Sequence, residues 1–423
     1  MHSLRLRFWL GLVWVAITGL TSNMALATNG YFQHGYGTIS KGMAGAGAAW
    51  SQDGIAAATN PAGMAFVGDR LDGGLEAFSP HRQYRVSGAP AEAGFGLRPG
   101  QFRSSKKGFT IPHLGFNKTL SSGHNLGLSV FANGGMNTTY PGLEGGPFGG
   151  GRTGVDLEQL FIAPTWSWEF APGQALGFSP LLAYQRFSAK GLEVFGRMGF
   201  SAAPDALTDQ GTDDAWGYGF QVGWQGDLSP HWRAGASWRS ILHMDEFSKY
   251  KGLFAEQGNF DIPQMFNLGL AYSGFESHRL LLDVQHIRYS AIDSVSNPLL
   301  PNLQQARLGD DAGAGFGWDD MTVFKIGWQW QQTERQAWRA GVSYGEQPIS
   351  DSEVLFNILA PGVQEWHLTT GFTRQLKEGL ELSGMLLYSP PNRVSGANPL
   401  SPGQTIELRM YQLAVSASVG WSF

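Results

Sequence analysis

Several stretches of this chain alternate strictly between large apolar side chains and small or polar ones, and the polar face cannot form a dry core. Trp216, Tyr218, Phe220, Val222 and Trp224 alternate with Gly217, Gly219, Gln221, Gly223 and Gln225; Trp232 to Trp238, Phe324 to Trp330, Trp338 to Tyr344 and Leu413 to Phe423 repeat the pattern. Period-2 alternation reads as β-strand. In a soluble sandwich the apolar face turns inward, but here the opposite face carries Arg233, Arg239, Lys325, Arg339 and many Gln and Gly. Aromatic residues also favour the two ends of the apolar stripe, as in the interfacial girdles of membrane barrels. The apolar face is therefore the outside of the molecule.

Composition supports that inversion. Of 423 residues, 59 are Gly and 15% are charged, while Cys is absent. So much Gly argues against a helix-rich fold, where each interior Gly costs about 1 kcal/mol relative to Ala. Lack of Cys excludes disulfides and thiolate sites, and a formal net charge of -5 gives no footprint for nucleic acid. No stretch after the N-terminus reaches the roughly 18 uninterrupted apolar residues of a spanning helix. A membrane location then demands a closed barrel, which satisfies its own backbone groups.

The chain divides into three parts. Residues 1–27 carry Arg5 and Arg7, the apolar run Phe8–Leu20 and then Ala25-Leu26-Ala27, the layout of a cleaved secretory signal peptide. Residues 28–69 are rich in small residues and lack alternation, which points to a compact hatch filling the lumen, with a short helix over 39–49. Residues 70–423 hold about fourteen alternating segments, which predicts an all-β fold, a transmembrane antiparallel β-barrel. Short connections, such as Ala171-Pro172-Gly173 and Lys377-Glu378, alternate with long ones near 88–108, 138–154, 191–214, 241–263, 290–319, 346–365 and 389–409. Short turns on one rim and long loops on the other fit periplasmic turns and extracellular loops.

No catalytic constellation emerges. Gly42-x-x-Gly45-x-Gly47 lacks the strand and acidic residue of a dinucleotide site, and neither a nucleophile elbow nor a metal-binding motif is present. Asp310, Asp311, Asp319 and Asp320 read as solvated loop charge. No cofactor, metal or enzymatic activity is expected. By contrast, two long loops carry Phe195, Met198, Phe200, Phe247, Phe254 and Phe260, an apolar set of the kind that marks binding sites.

The stretch 41–65 (KGMAGAGAAWSQDGIAAATNPAGMA), with ANGGMNTTYPG (132–142), DDAWGYGFQVGWQ (213–225), WRAGASWRS (232–240), NFDIPQMFNLGLAY (259–272) and WRAGVSYGEQPI (338–349), resembles the FadL-type family of outer-membrane transporters for long-chain fatty acids and other hydrophobic compounds. The resemblance implies a monomeric fourteen-stranded barrel in the Gram-negative outer membrane, set among outer-membrane lipid and lipopolysaccharide. Its hatch motif would fall on Gly42, Gly45, Asp53, Asn60, Pro61 and Ala62. It implies passive uptake of a hydrophobic small molecule: capture between loops, an inner pocket and sideways release beside a kinked third strand, here at Asn133, Gly134 and Gly135. A basic residue near the top of the fifth strand would meet a carboxylate; that position is Arg186, with Lys325 and Arg239 as inward-facing substitutes. The C-terminal Trp421 and Phe423 resemble the signal read by the barrel-assembly machinery. A general diffusion porin and a surface receptor or adhesin are the competing expectations.

Overall fold

The structure, a computed structural model, describes residues 28–89, 95–120, 123–142, 147–148 and 151–423. The expected signal peptide, 1–27, lies outside the described residues. Fourteen antiparallel strands follow one another around a barrel: β1 (Arg70–Ser87), β2 (Phe109–Thr119), β3 (His124–Asn137), β4 (Gly154–Ala171), β5 (Gln174–Lys190), β6 (Asp213–Ser229), β7 (Trp232–Arg239), β8 (Met265–Tyr272), β9 (His278–Ile287), β10 (Met321–Thr333), β11 (Gln336–Gly345), β12 (Trp366–Lys377), β13 (Leu380–Ala397) and β14 (Thr405–Ser422). β14 pairs with β1 along its whole length, from Thr405 opposite Ser87 to Ser422 opposite Arg70, and so closes the sheet. Closure removes the two edges that an open sheet would present to lipid.

The alternation points as expected. On β6, Trp216, Tyr218, Phe220 and Val222 are exposed, while Ala215, Gln221 and Gln225 are buried. Trp166, Trp168, Trp232, Trp328, Trp338 and Trp421 circle the rim of short turns, and Tyr184, Trp216, Tyr218, Tyr344 and Trp366 circle the loop rim. Leu268, Leu270, Leu282, Ile326 and Val415 fill the band between. These are the two aromatic girdles and apolar belt of a membrane barrel. Turns as short as Pro172-Gly173 and Glu378-Gly379 connect strands at one rim, with Gly173 and Gly379 at φ +72 and +70, where other residues are strained.

One expected loop is largely strand. Within 389–409, β13 continues to Ala397 and β14 begins at Thr405. The register shift between Ser389 and Asn392 accommodates Pro390 and Pro391, and beyond it Ile406 and Leu408 again bury on the inner face. A proline pair is tolerated within a strand at a bulge, where no ladder hydrogen bond is required.

The lumen is not water-filled at the level of residues 33–67. That segment packs against the inner wall, and glycines on the wall admit its backbone. A Cβ on Gly235 would lie 2.0 Å from the Ala48 carbonyl oxygen, one on Gly341 2.2 Å from the Met43 carbonyl carbon, and one on Gly177 2.2 Å from the Ala62 nitrogen. The polar wall residues serve the same segment. Asp283 accepts the amides of Gly47 and Ala48, each at 2.8 Å, and Lys325, its register partner on β10, donates to the His34 carbonyl at 2.9 Å. Lys41 is ion-paired with Glu76, and Arg70 binds Asp72, Glu381 and the Gln52 carbonyl. The expected helix over 39–49 shrinks to one turn, Thr38–Lys41, because Ala44 (φ +54) and Gly45 (φ +81) turn the chain out of the helical path. Asn60 caps the turn that begins at Pro61: its side chain accepts the Ala62 amide at 3.1 Å and donates to the Ala48 and Trp224 carbonyls. Asp53 is buried and accepts the Ile55 amide.

Two outcomes follow from this packing. Gly235→Val should still form the barrel, since Val suits a strand, but Ala48 must move. Ion conductance in planar bilayers should rise above wild type, and an unchanged conductance would show that the seating does not seal the lumen. Phe423 donates its amide to the Asp69 carbonyl at 3.1 Å, and its ring lies against Trp421, 5.2 Å between centroids, and under Lys118. Deleting Phe423 should lower the folded, heat-modifiable fraction in cells by more than it slows refolding of purified protein in detergent. Equal losses in the two assays would make it a seam residue and not an assembly signal.

Candidate functional site

Connections 191–212, 240–264, 288–320 and 346–365 fold back over the lumen instead of standing in water. Phe195, Phe247, Phe254 and Phe260 are buried in one cluster with Phe316, Trp318 and Phe356, and Phe200 packs against it. Apolar side chains on loops this long have no lipid to face, so burial against one another removes them from water at about 25 cal/mol per Å². Met198 departs from the expected set: it is 49% exposed and lines nothing, because the helical turn Glu193–Arg197 that precedes it turns Phe195 inward and leaves Met198 outside.

Between these loops and the tops of β4 and β5 lies a cleft lined by Phe187, Phe195, Phe254, Phe316, Phe356 and Leu308, with Ser294 as its one polar side chain. Its volume is about 20 Å³, room for little more than one water. A hydrocarbon enters only if rings move aside.

Below the cleft an aromatic series descends through the barrel. Ring centroids of Phe187 and Phe254 are 4.7 Å apart, Phe254 and Phe260 4.8 Å, Phe260 and Tyr31 6.0 Å, Tyr31 and Phe32 5.1 Å. The Arg239 guanidinium then lies 5.0 Å from the centroids of both Phe32 and Phe161. Phe161 is 5.5 Å from Phe131, which is 4.9 Å from Tyr36. Sequence reasoning missed Tyr31, Phe32, Phe131 and Phe161. A signal existed: Phe131 follows Gly127 and Ser129, and Phe161 precedes Ala163 and Thr165, on the parity that otherwise holds small and polar inward residues.

Three basic candidates separate here. Arg186 shares parity with Leu182 and Tyr184, faces outward and is ion-paired with Glu158 at 2.8 Å, so it does not reach the lumen. Without a bulge at that point β5 keeps it on the lipid-facing side. Lys325 faces inward but is engaged with the backbone of 34–45. Arg239 is fully buried, contacts the Met265 sulfur only at 3.9 Å, and leaves Nε and Nη1 without partners. Buried donors without acceptors are costly. In the loops, burial pushes the Tyr289 phenol well above its ordinary pKa, so it remains a neutral donor to the Asn29 carbonyl. Burial likewise raises Glu353, which accepts the Leu299 amide.

The series ends where the wall is interrupted. β1 and β2 pair no higher than Phe78 opposite Phe109, and β2 and β3 no higher than His113 opposite Phe131. Above that point the ladder with β4 shifts register between Ala132 and Gly134, placing Asn133 as an extra residue. The free edge of β3 is instead occupied by residues 31–33. Phe32 bridges to Gly134, the Gly135 amide donates to the Tyr31 carbonyl at 3.0 Å, Gln33 donates to the Ala132 carbonyl, and Tyr36 donates to Asn133 at 3.0 Å. Neither glycine has room for a side chain: a Cβ on Gly134 would meet the Tyr31 oxygen at 2.2 Å, and one on Gly135 the Leu157 oxygen at 2.4 Å.

Comparison with known proteins agrees with this architecture. The family description "Outer membrane protein transport protein (OMPP1/FadL/TodX)" matches residues 18–383. No curated protein sequence matches. Among solved structures, the Pseudomonas putida toluene transporter TodX superposes with a TM-score of 0.67 at 17% identity, covering 92% of this chain and 99% of that one. A Pseudomonas aeruginosa FadL homologue gives 0.70 at 15% identity, with 93% and 100% covered. The Ralstonia pickettii toluene transporter TbuX gives 0.63 at 16%, with 92% and 99% covered. At such identities the structures share the fold, while the sequence match across most of the chain settles kinship: this protein belongs to the OMPP1/FadL/TodX family of outer membrane transport proteins.

Proposed function

We propose that the protein carries apolar molecules passively across the Gram-negative outer membrane, taking them from the loops to a sideways exit at β3. The observation that carries this reading is the series of rings from Phe187 to Phe131, joined between Phe32 and Phe161 by the Arg239 guanidinium, which begins at the apolar loop cleft and ends at the gap in strand pairing. In this reading residues 1–27 direct export, 28–69 form a hatch, and 70–423 form the barrel.

Loading is driven by burial. A chain of about ten methylenes gains several kcal/mol on leaving water, which suffices for capture without an energy source. Because the cleft is nearly full, the ligand replaces ring-on-ring contacts with its own. At the far end the Tyr31–Gln33 segment acts as a latch: a few hydrogen bonds, each of net worth about 1 kcal/mol, keep the free edge of β3 satisfied. When they open, the ligand passes between β2 and β3 into the membrane, where its apolar surface stays buried. A diffusion porin would need an open polar lumen, and residues 33–67 occupy that space.

The route can be tested in a background free of cysteine. The Thr38 and Ser416 hydroxyls lie 2.8 Å apart, one on the hatch and one on β14, a separation compatible with a disulfide. Oxidised Thr38→Cys/Ser416→Cys should keep the hydrocarbon uptake of the reduced form, because the latch at 31–33 stays free. Loss of uptake that reductant restores would mean that the whole hatch moves and that the path is axial.

Arg239 decides between substrate classes. Its two free donors suit the carboxylate of a fatty acid, and a charged hydrogen bond is worth about 1.5–3 kcal/mol. Arg239→Met should raise the half-saturating concentration for a long-chain fatty acid by about tenfold or more and leave uptake of an uncharged alkylbenzene unchanged. Equal losses for both would reduce Arg239 to a packing role.

A further inference from the structure

The outer face of β4 and β5 turns abruptly from apolar to charged as it approaches the loop rim. Leu160 stands opposite Tyr184, whose ring lies 5.0 Å from Trp216 in the aromatic girdle. One step higher Glu158 faces Arg186, then Asp156 faces Ser188, then Gly154 faces Lys190. Two of the cations are neutralised: Arg186 by Glu158 at 2.8 Å and Lys106 by Asp156 at 3.1 Å. Arg152 and Lys190 are not paired with a carboxylate among the described residues.

These residues surround a cavity of about 250 Å³, against about 20 Å³ for the loop cleft. Its walls are Arg152 and Lys190, the Lys106–Asp156 ion pair, Gly154 and Val155, and the hydroxyl residues Ser105, Thr138, Thr139, Thr153 and Ser188. The Thr139 amide bonds Ser104 and its carbonyl accepts from Ser105, so the segment 104–106 is fastened over the top of β3 and the cavity is a built feature. Ser105, Thr138, Thr139 and Thr153 spend their hydroxyl protons on backbone carbonyls, which leaves the Arg152 guanidinium and the Lys190 ammonium to supply charged hydrogen bonds, a pair that suits a phosphate carried on a sugar.

We infer that this cavity binds the phosphorylated sugar headgroup of a lipopolysaccharide in the outer leaflet. Position selects the lipid over a free anion. Ser188 and Lys190 share the outward parity of Leu182 and Tyr184, so this part of the cavity wall faces the membrane just above the girdle formed by Tyr184 and Trp216, at the height where headgroups stand and acyl chains would descend along the exposed Leu182. The site needs only that the loop rim faces outward, and it is independent of what the barrel carries. A lipid held there would border the free edge of β3, whose Asn137 bonds Asp156.

The test uses the full barrel in phosphatidylethanolamine nanodiscs containing graded lipopolysaccharide, with bound lipid read by native mass spectrometry. Wild type should retain phosphorylated lipopolysaccharide and lose it when the lipid is enzymatically dephosphorylated. Arg152→Gln/Lys190→Gln should bind about thirtyfold more weakly, as expected for two cations near a charged surface, while heat-modifiability shows the barrel intact. Arg152→Lys/Lys190→Arg should restore retention. Equal binding by the Gln variant, or equal binding of dephosphorylated lipid, would overturn the site. Competition by inorganic phosphate at concentrations comparable to the lipid would overturn the lipid assignment in favour of a free anion.

Discussion

The contact on which the rest of this structure depends is the direct seating of the N-terminal segment's backbone on inward-facing glycines of the wall. A barrel this wide leaves a lumen that its own side chains do not fill, and lipid outside makes any unsatisfied polar group expensive. Backbone seated directly on wall glycines solves the volume problem: Ala48 over Gly235, Met43 over Gly341, Ala62 over Gly177. Asp283, Lys325, Gln221 and Asn60 solve the hydrogen-bonding problem by serving backbone groups across the interface. Part of the high glycine content is thus packing geometry.

With the axis occupied, the most weakly held seam of the wall is the one beside β3. β2 parts from β3 above the His113–Phe131 pair, although its residues 109–112 stay paired with β1, and the bulge at Asn133 bends β3 just above the point of separation. Bare strand edges attract whatever strand is at hand, and here Tyr31–Gln33 takes that place with a single bridge and a few side-chain bonds. The pairing is short, and its replacement by solvent or ligand costs little compared with opening any other seam, such as the full-length β14–β1 ladder. The same short segment that satisfies the edge also carries two rings of the aromatic series, Tyr31 and Phe32.

Loop behaviour follows from the same need to hide apolar surface. Phe195, Phe254 and Phe356 meet over the lumen because nothing outside the membrane would cover them. The cleft they leave is small, because the rings fill it with contacts to one another. Arg239 stands out as the one cation along the descent whose donors are unspent, held between two phenyl faces.

Period-2 alternation with Gly, Gln, Arg and Lys on one face was enough, by itself, to determine a barrel with its apolar side out, about fourteen strands, and turns and loops on opposite rims, since side-chain direction along a strand is fixed by backbone geometry. It also placed Arg186 on the outward parity and Arg239 and Lys325 on the inward one. What it could not determine was which residues meet across the lumen. Nothing local distinguishes Lys325, engaged with the His34 carbonyl, from Arg239, left with free donors; the path of residues 28–69 through the barrel decides it. Nor could periodicity say that β2 parts from β3 and that Phe32 takes the freed edge at Gly134, because Phe32 and Gly134 lie about a hundred positions apart in the chain. Strand identity is a property of neighbours in sequence, whereas the gap, the latch and the ring series are properties of residues brought together only when the sheet closes around its own N-terminal segment.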